Sequence, residues 1–294
     1  MMQLIEGNAL ARQIKSELKD KVTALISEGK RPPHLAAVLI GDNPASRSYV
    51  TNKVKSCEEV GFQSTLIQRP ADISQENLKE IVHTLNEDPL IDGFIVQLPL
   101  PEQIHETEIT LAISPAKDVD GFHPMNIGRM TLGLPAYLPA TPMGIMEMLN
   151  RNHIAVQGKN CCVIGRSNIV GTPMSILLSR KAVPGDGTVF LCHSRTHNIR
   201  DISRQSDIII VALGKPNFLQ ADMVKEGAVV IDVGINRVED PTKKSGFRLV
   251  GDVDFDAVAP KCSFITPVPG GVGPMTVTSL LTNTFKAYNK EVYS

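Results

Sequence analysis

Tyr49 and Lys53 stand four residues apart in NPASRSYVTNKVKSCEEVG, residues 43–61, so on a helix an aromatic ring lies beside an amine. That pair suits a flat ligand that one group holds and the other acts on. Gln97 ends the apolar run IDGFIVQ and begins QLPLP, whose prolines force an extended exit from a strand. Asp118 and Asp120 in KDVDGFHP are two apart in what reads as extended chain, hence on one side. One carboxylate there suits a paired hydrogen bond from a ligand amino group and a ring N–H. Plainer readings exist for each: a solvated lysine beside a half-buried tyrosine, a glutamine capping a turn, and Asx turns ahead of Gly121.

The elements that position these residues are legible. Asn43 caps the helix, Pro44 suits its first position, and Gly61 supplies a left-handed stop. Val50, Val54 and Cys57 form one stripe that packs inward, with Ser46, Tyr49, Lys53 and Ser56 as a second stripe beside it. A helical pattern over 6–29 precedes HLAAVLIG at 34–41, a strand buried on both faces. QSTLIQR at 63–69, a helix near 74–87 and IDGFIVQ at 91–97 continue the alternation, which predicts a parallel sheet. Ligands of such sheets sit outside the carboxyl ends of the strands, where Lys53 and Gln97 both fall.

LGLPAYLPATPMG at 132–144 is rich in Pro and Gly, which places a domain boundary near 140. Alternation then restarts. NCCVIG at 160–165 is a strand, RSNIVGTP at 166–173 a glycine turn into a helix, where backbone N–H groups receive phosphate. The spacing of Gly165 and Gly171 is not GxGxxG. After the next strand, GTVFLCHSRT at 187–196, the chain offers Ser194 and Arg195 where a reader of NAD offers an acid. With Arg166, these predict an extra phosphate and hence NADP; surface arginines without a task are the alternative. Strands at 207–214, 228–234 and 248–253 continue the sheet, with a polar excursion at 239–246. SFITPVPGGVGPMT at 263–276 reads as a loop feeding a last helix, 276–294, which returns to the first domain.

The chain of 294 residues has 42% hydrophobic residues, 21% charged residues and a formal net charge of -1. This balance gives no electrostatic case for nucleic acid or an anionic membrane as partner. No apolar run has membrane-spanning length, and the N-terminus lacks the order of a secretory signal, so a cytoplasmic protein is expected. Five scattered cysteines read as buried thiols, and seven histidines without zinc-ligand spacing predict no metal.

Together SYVTNK, IVQLPLP, KDVDGFHP, TPMG, VIGRSNIVGTP, CHSRT and TPVPGGVGPMT, in this order, resemble the bifunctional methylenetetrahydrofolate dehydrogenase/cyclohydrolase family along nearly the whole chain. The resemblance implies two parallel-sheet α/β domains with a cleft between them: a folate-binding catalytic domain over 1–140 and a Rossmann-like NADP-binding domain over 141–275. It implies that Tyr49 stacks on the pterin, Lys53 is the central catalytic group, Gln97 orients it and Asp120 holds the pterin amino group, while Asp118 is structural. Gly165, Arg166, Ser167, Ser194, Arg195 and Ile235 would contact the cofactor, and Pro267 and Gly271 would join Tyr49, Gln97 and Asp120 around the substrate. The implied activity is NADP-dependent oxidation of methylenetetrahydrofolate to methenyltetrahydrofolate, then hydrolysis to 10-formyltetrahydrofolate, by a homodimer built through the dinucleotide domain. RKAVPGDG at 180–187 departs from the family as a longer surface connection that bears on assembly. Two other readings are an NADP-dependent dehydrogenase of another small substrate without hydrolysis, and a catalytically silent nucleotide sensor.

Overall fold

The structure, a computed structural model, describes residues 2–243 and 246–293. It divides into two compact units, Arg12–Ala140 with Val277–Ser294 and Met1–Ala11 with Thr141–Thr276, termed here the Lys53 unit and the Gly165 unit.

The chain opens with β1 (Gln3–Leu4) and α1 (Gly7–Ser27). Next come β2 (His34–Ile40), α2 (Pro44–Val60), β3 (Gln63–Arg69), α3 (Gln75–Glu87) and β4 (Gly93–Val96), then helices α4 (Glu106–Ala112), α5 (Pro124–Thr131) and α6 (Ala140–Arg151). In the Lys53 unit, β2 is the middle of a parallel sheet ordered β3-β2-β4. Every residue of β2 is buried, as the uninterrupted apolar run requires, whereas β3 leaves Gln63, Leu66, Gln68 and Arg69 exposed and takes an edge. Ser74 caps α3 by accepting from the Asn77 N–H at 3.1 Å, and Leu78, Val82 and Leu85 pack the helix onto a core containing Val38 and Phe94. Because β3 lies on one flank of β2 and β4 on the other, the strand order reverses between β2 and β4. Their carboxyl ends therefore leave a crevice.

The Gly165 unit contains β5 (Asn160–Ile164), α7 (Gly171–Ser179), β6 (Thr188–Cys192), α8 (Ile199–Gln205), β7 (Ile208–Val211), β8 (Ala228–Asp232), β9 (Asn236–Glu239), β10 (Phe247–Val250), α9 (Phe255–Val258) and β11 (Cys262–Ile265). α10 (Val272–Tyr288) ends the regular structure. Six strands pair in parallel in the order β1-β11-β8-β7-β5-β6, and the reversal falls between β5 and β7. Buried aliphatics of β5, β7 and β8 supply the core.

Three expectations need correction. The strand expected over 248–253 does not extend the parallel sheet: β10 pairs antiparallel with β9 in a separate two-stranded ribbon. Both strands carry exposed residues, so neither has the apolar faces a central strand needs. The intervening polar excursion includes Lys244 and Ser245, which lie outside the described residues. The stretch 263–276 is not all loop, because β11 occupies Cys262–Ile265 and α10 begins at Val272. Finally, Met1–Ala11 groups with the Gly165 unit, since β1 pairs with β11 through Gln3 and Phe264.

Candidate active site

The ends of α2 form as its sequence dictates. The Asn43 side chain accepts from the Ser46 N–H at 3.2 Å, and Gly61 takes φ +81° while the Phe62 N–H reaches back to the Cys57 carbonyl at 2.8 Å. Val50 and Cys57 are fully buried on the inner stripe. The second stripe is divided: Ser56 accepts from the Lys15 ammonium at 2.7 Å and so faces α1, leaving Tyr49 and Lys53 for the crevice.

Lys53 is only 4% exposed, which rules out a solvated surface lysine. Its Nζ donates to Gln97 Oε1 at 3.2 Å and stands 4.5 Å from the centre of the Tyr49 ring. Gln97 is held from both sides. Its N–H donates to the Val38 carbonyl at 2.9 Å and its side-chain amide to the Leu98 carbonyl at 2.6 Å, which turns the amide oxygen toward the amine. The lysine thus follows β2, the glutamine follows β4, and their bond closes the point where the strand order reverses. Burial pushes the Lys53 ammonium below the ordinary lysine range, and the Asp120 carboxylate only partly opposes this. A neutral amide partner does not restore the charge as a hydrogen-bonded carboxylate would.

Asp118 and Asp120 do not share one side of an extended segment, contrary to the sequence expectation. Residues 118–121 form a turn in which the Gly121 N–H donates to the Asp118 carbonyl at 3.1 Å and Gly121 has φ +74°. A Cβ at Gly121 would press on Leu138 and Pro139. The Asp118 carboxylate is spent on its own loop, accepting from the N–H groups of Phe122 and His123 at 3.2 and 2.8 Å and from Asn126 Nδ2 at 2.8 Å. Asp120 is half-buried; burial raises its carboxyl and the charge of Lys53 opposes that rise. Tyr49, Lys53, Gln97 and Asp120 therefore come together in the Lys53 unit.

In the Gly165 unit the chain leaves β5 through Gly165, at φ +122°, where a Cβ would overlap the Ala212 carbonyl oxygen beyond β7. A Cβ at Gly171 would likewise fill the space against the Gly165 carbonyl. Between them Ser167 Oγ accepts from the Val170 N–H at 3.2 Å, and Arg166 and Ser167 are exposed. After β6, His193 Nδ1 accepts from the Arg195 N–H at 3.2 Å, and Ser194 and Arg195 are exposed at the neighbouring strand end. A tight backbone cradle with two free-standing guanidinium groups and hydroxyls fits a dinucleotide carrying an additional phosphate. Ile235 projects 61% exposed beyond β8. Pro267 and Gly271 lie between β11 and α10, where Gly271 packs so closely on the Pro267 carbonyl that a Cβ would press on it.

Two residues of this edge escape sequence reasoning, Asp232 and Asp252. Asp232 is 3% exposed and Asp252 fully buried, and both accept from loop N–H groups. Burial pushes the Asp232 carboxyl up to about 6. The signal available was an acid closing an apolar strand, IDVG, and another after a strand and glycine, VGDV.

Two parallel α/β units, one with a glycine turn and arginines at its switch point and one with a desolvated lysine on an amide, define a pyridine-nucleotide-dependent oxidoreductase with an additional acid–base site. Residues 5–120 match the catalytic-domain model of tetrahydrofolate dehydrogenase/cyclohydrolase, and residues 139–292 match its NAD(P)-binding domain. The chain belongs to the tetrahydrofolate dehydrogenase/cyclohydrolase family. The bifunctional protein FolD of Cytophaga hutchinsonii is 60% identical over 286 residues, 97% of this chain and 99% of that protein. Among solved structures, the bifunctional FolD of Campylobacter jejuni is 47% identical with a TM-score of 0.93, over 99% of this chain and 100% of that one. The FolD of Trypanosoma brucei, complexed with NADP cofactor and inhibitor, is 38% identical with a TM-score of 0.93, over 100% and 99%.

Proposed function

We propose that this chain oxidises methylenetetrahydrofolate to methenyltetrahydrofolate with NADP and then hydrolyses the product to 10-formyltetrahydrofolate. The observation that carries the two-step reading is Lys53: an amine 4% exposed, bonded to a neutral glutamine and stacked beside a tyrosine. Full-length relatives named as bifunctional support the same pair of activities.

Tyr49 stacks on the pterin, and the Asp120 carboxylate accepts from its amino group and ring N–H. In the first step NADP supplies the nicotinamide carbon that receives hydride from the methylene bridge. No proton leaves, so Tyr49, Gln97 and Asp120 serve this step by orientation. The resulting methenyl cation is attacked by water. Lys53, as the free amine, takes a proton from that water while its own N–H stays bonded to Gln97. It then returns the proton to the pterin ring nitrogen as the bond from that nitrogen to the hydroxylated carbon breaks; the hydroxyl proton passes to solvent as the formyl carbonyl forms. The neighbouring cationic substrate further disfavours the ammonium. Pro267 and Gly271 join the substrate contacts; Gly165, Arg166, Ser167, Ser194, Arg195 and Ile235 hold the nucleotide.

Arg166 and Ser194 set the choice of NADP over NAD. A charge-assisted hydrogen bond contributes roughly 1.5–3 kcal/mol, so Arg166→Ala lowers the ratio of kcat/KM for NADP over NAD by about ten- to a hundredfold. An unchanged ratio would remove Arg166 from the phosphate contact. The overall reading is tested by one spectrophotometric assay with methylenetetrahydrofolate, comparing NADP with NAD and following methenyl decay after the nucleotide is removed. Decay at the uncatalysed rate leaves a dehydrogenase alone.

No helix among the described residues is long and apolar enough to cross a membrane, and we place the protein in the cytoplasm. We also propose a homodimer through the Gly165 unit, where β6 is an edge strand with Phe190 40% exposed and Val183 stands out of the 180–187 connection. Sedimentation of the purified protein at twice the monomer mass checks it.

A further inference from the structure

We propose that Asp252, backed by Asp232, is the positioning residue that shapes the nucleotide-facing loops of the Gly165 unit; this rests on the reading of that unit as the NADP site. Asp252 Oδ2 accepts from the N–H groups of Leu213 and Gly214 at 2.6 and 2.9 Å, and Oδ1 from the Lys215 N–H at 2.8 Å and Asn236 Nδ2 at 2.9 Å. One carboxylate thus gathers the loop after β7 and the loop after β8. Asp232 works from the other side: its Oδ1 accepts from the N–H groups of Gly234 and Asp252, both at 2.9 Å, and its Oδ2 from the Val253 N–H at 3.0 Å. The Asp232 N–H in turn donates to Thr266 Oγ1 at 2.8 Å, one residue before Pro267.

The two aspartates are interlocked through glycines. A Cβ at Gly234 would overlap the Asp252 carboxyl, and one at Gly251 would overlap the Asp232 carboxyl. Each acid thus packs against a glycine whose position leaves no room for a side chain. Gly234 and Asn236, the residues flanking Ile235, are each bonded to one of these carboxylates. Ile235 is consequently held outward from fixed shoulders, although its own side chain is 61% exposed. Buried carboxylates cost solvation that a purely structural tie among loops would avoid with neutral acceptors. What they add is acceptor capacity without a single donor, which is what a convergence of backbone N–H groups demands.

Asp252→Asn exposes this. Whichever way the new amide turns, its NH₂ meets two donors, either Leu213 and Gly214 or Lys215 and Asn236, so the loops must part. Hydrolysis of methenyltetrahydrofolate uses no nucleotide and serves as the internal control. The expected result is a rise of about tenfold or more in KM for NADP and in the calorimetric Kd for NADP, with hydrolytic kcat/KM within about twofold of the parent. Because D252N strains the fold, Asn236→Leu is measured beside it. It keeps size, removes the bond from Asn236 to Asp252 together with the long 3.5 Å bond to the Val250 carbonyl, and is expected to weaken NADP binding about three- to tenfold. An unchanged Kd in both variants overturns the proposal, as does a parallel fall of both activities with Tm. The calorimetric arm reads the proposal even where the parent chain shows neither folate activity, a result that would strike the proposed function instead.

Discussion

Lys53→Met abolishes hydrolysis of the methenyl cation while hydride transfer survives at a reduced rate, and the protein melts at a higher temperature. The methionine keeps the stem that packs beside Tyr49 and removes the group that handles the proton. Proton transfer by a positioned side chain contributes about 10²–10⁴-fold, and that is the loss expected in hydrolytic kcat. The oxidation step releases no proton, so its loss reflects only altered orientation. Stability moves the other way. The folded-state pKa of Lys53 lies below its unfolded value, so between those two values the unfolded chain binds the extra proton and stability rises with pH. Below that window the folded protein carries the whole cost of a desolvated ammonium, which the variant escapes. The gain in Tm therefore shrinks as pH climbs toward the unfolded lysine range. Lys53→Arg also loses hydrolysis, since a guanidinium does not release its proton at working pH. Equal residual activity in both steps of K53M, measured as hydride transfer and methenyl decay, would sink the assignment.

Asp120→Asn weakens both reactions together, by about a hundredfold in kcat/KM, because both draw on the same pterin contact. An amide cannot accept two hydrogen bonds from an amino group and a ring N–H through both of its ends, and it forfeits the charge assistance of each. The variant has a second signature. The Asp120 carboxylate holds the Lys53 pKa up, so its removal moves the alkaline rise of the hydrolytic rate to lower pH. A pH profile of hydrolysis at saturating substrate reads this independently of binding. A fall confined to hydrolysis, with oxidation intact, would make Asp120 a tuner of Lys53 and not a substrate contact.

The amine and its partners were legible because local rules and global fold agree there. Asn43, Pro44 and Gly61 mark α2, the four-residue spacing places Tyr49 by Lys53, and the apolar run of β4 delivers Gln97 to the same strand ends. Which face of α2 looks where was not legible: nothing in the sequence says that Lys15 of α1 takes Ser56 out of the crevice. The aspartates at 118 and 120 were visible, but a turn closed by Gly121 splits them where an extended chain would pair them. Asp232 and Asp252 stayed hidden for a different reason. Apart from Asn236 Nδ2, their partners are backbone N–H groups, which leave no trace in side-chain patterns, and the loops they join are separated by up to 39 residues. β11 was masked by the prolines and glycines that follow it, which outweighed the short apolar segment before them.

The pairing of β1 with β11 has a bearing on synthesis and handling. Gln3 waits for Phe264, so the outer rim of the six-stranded sheet stays unzipped until nearly all of the polypeptide has left the ribosome. A purification handle fused ahead of residue 2 would crowd that late-closing seam, whereas one fused beyond Tyr293 extends from the other compact unit.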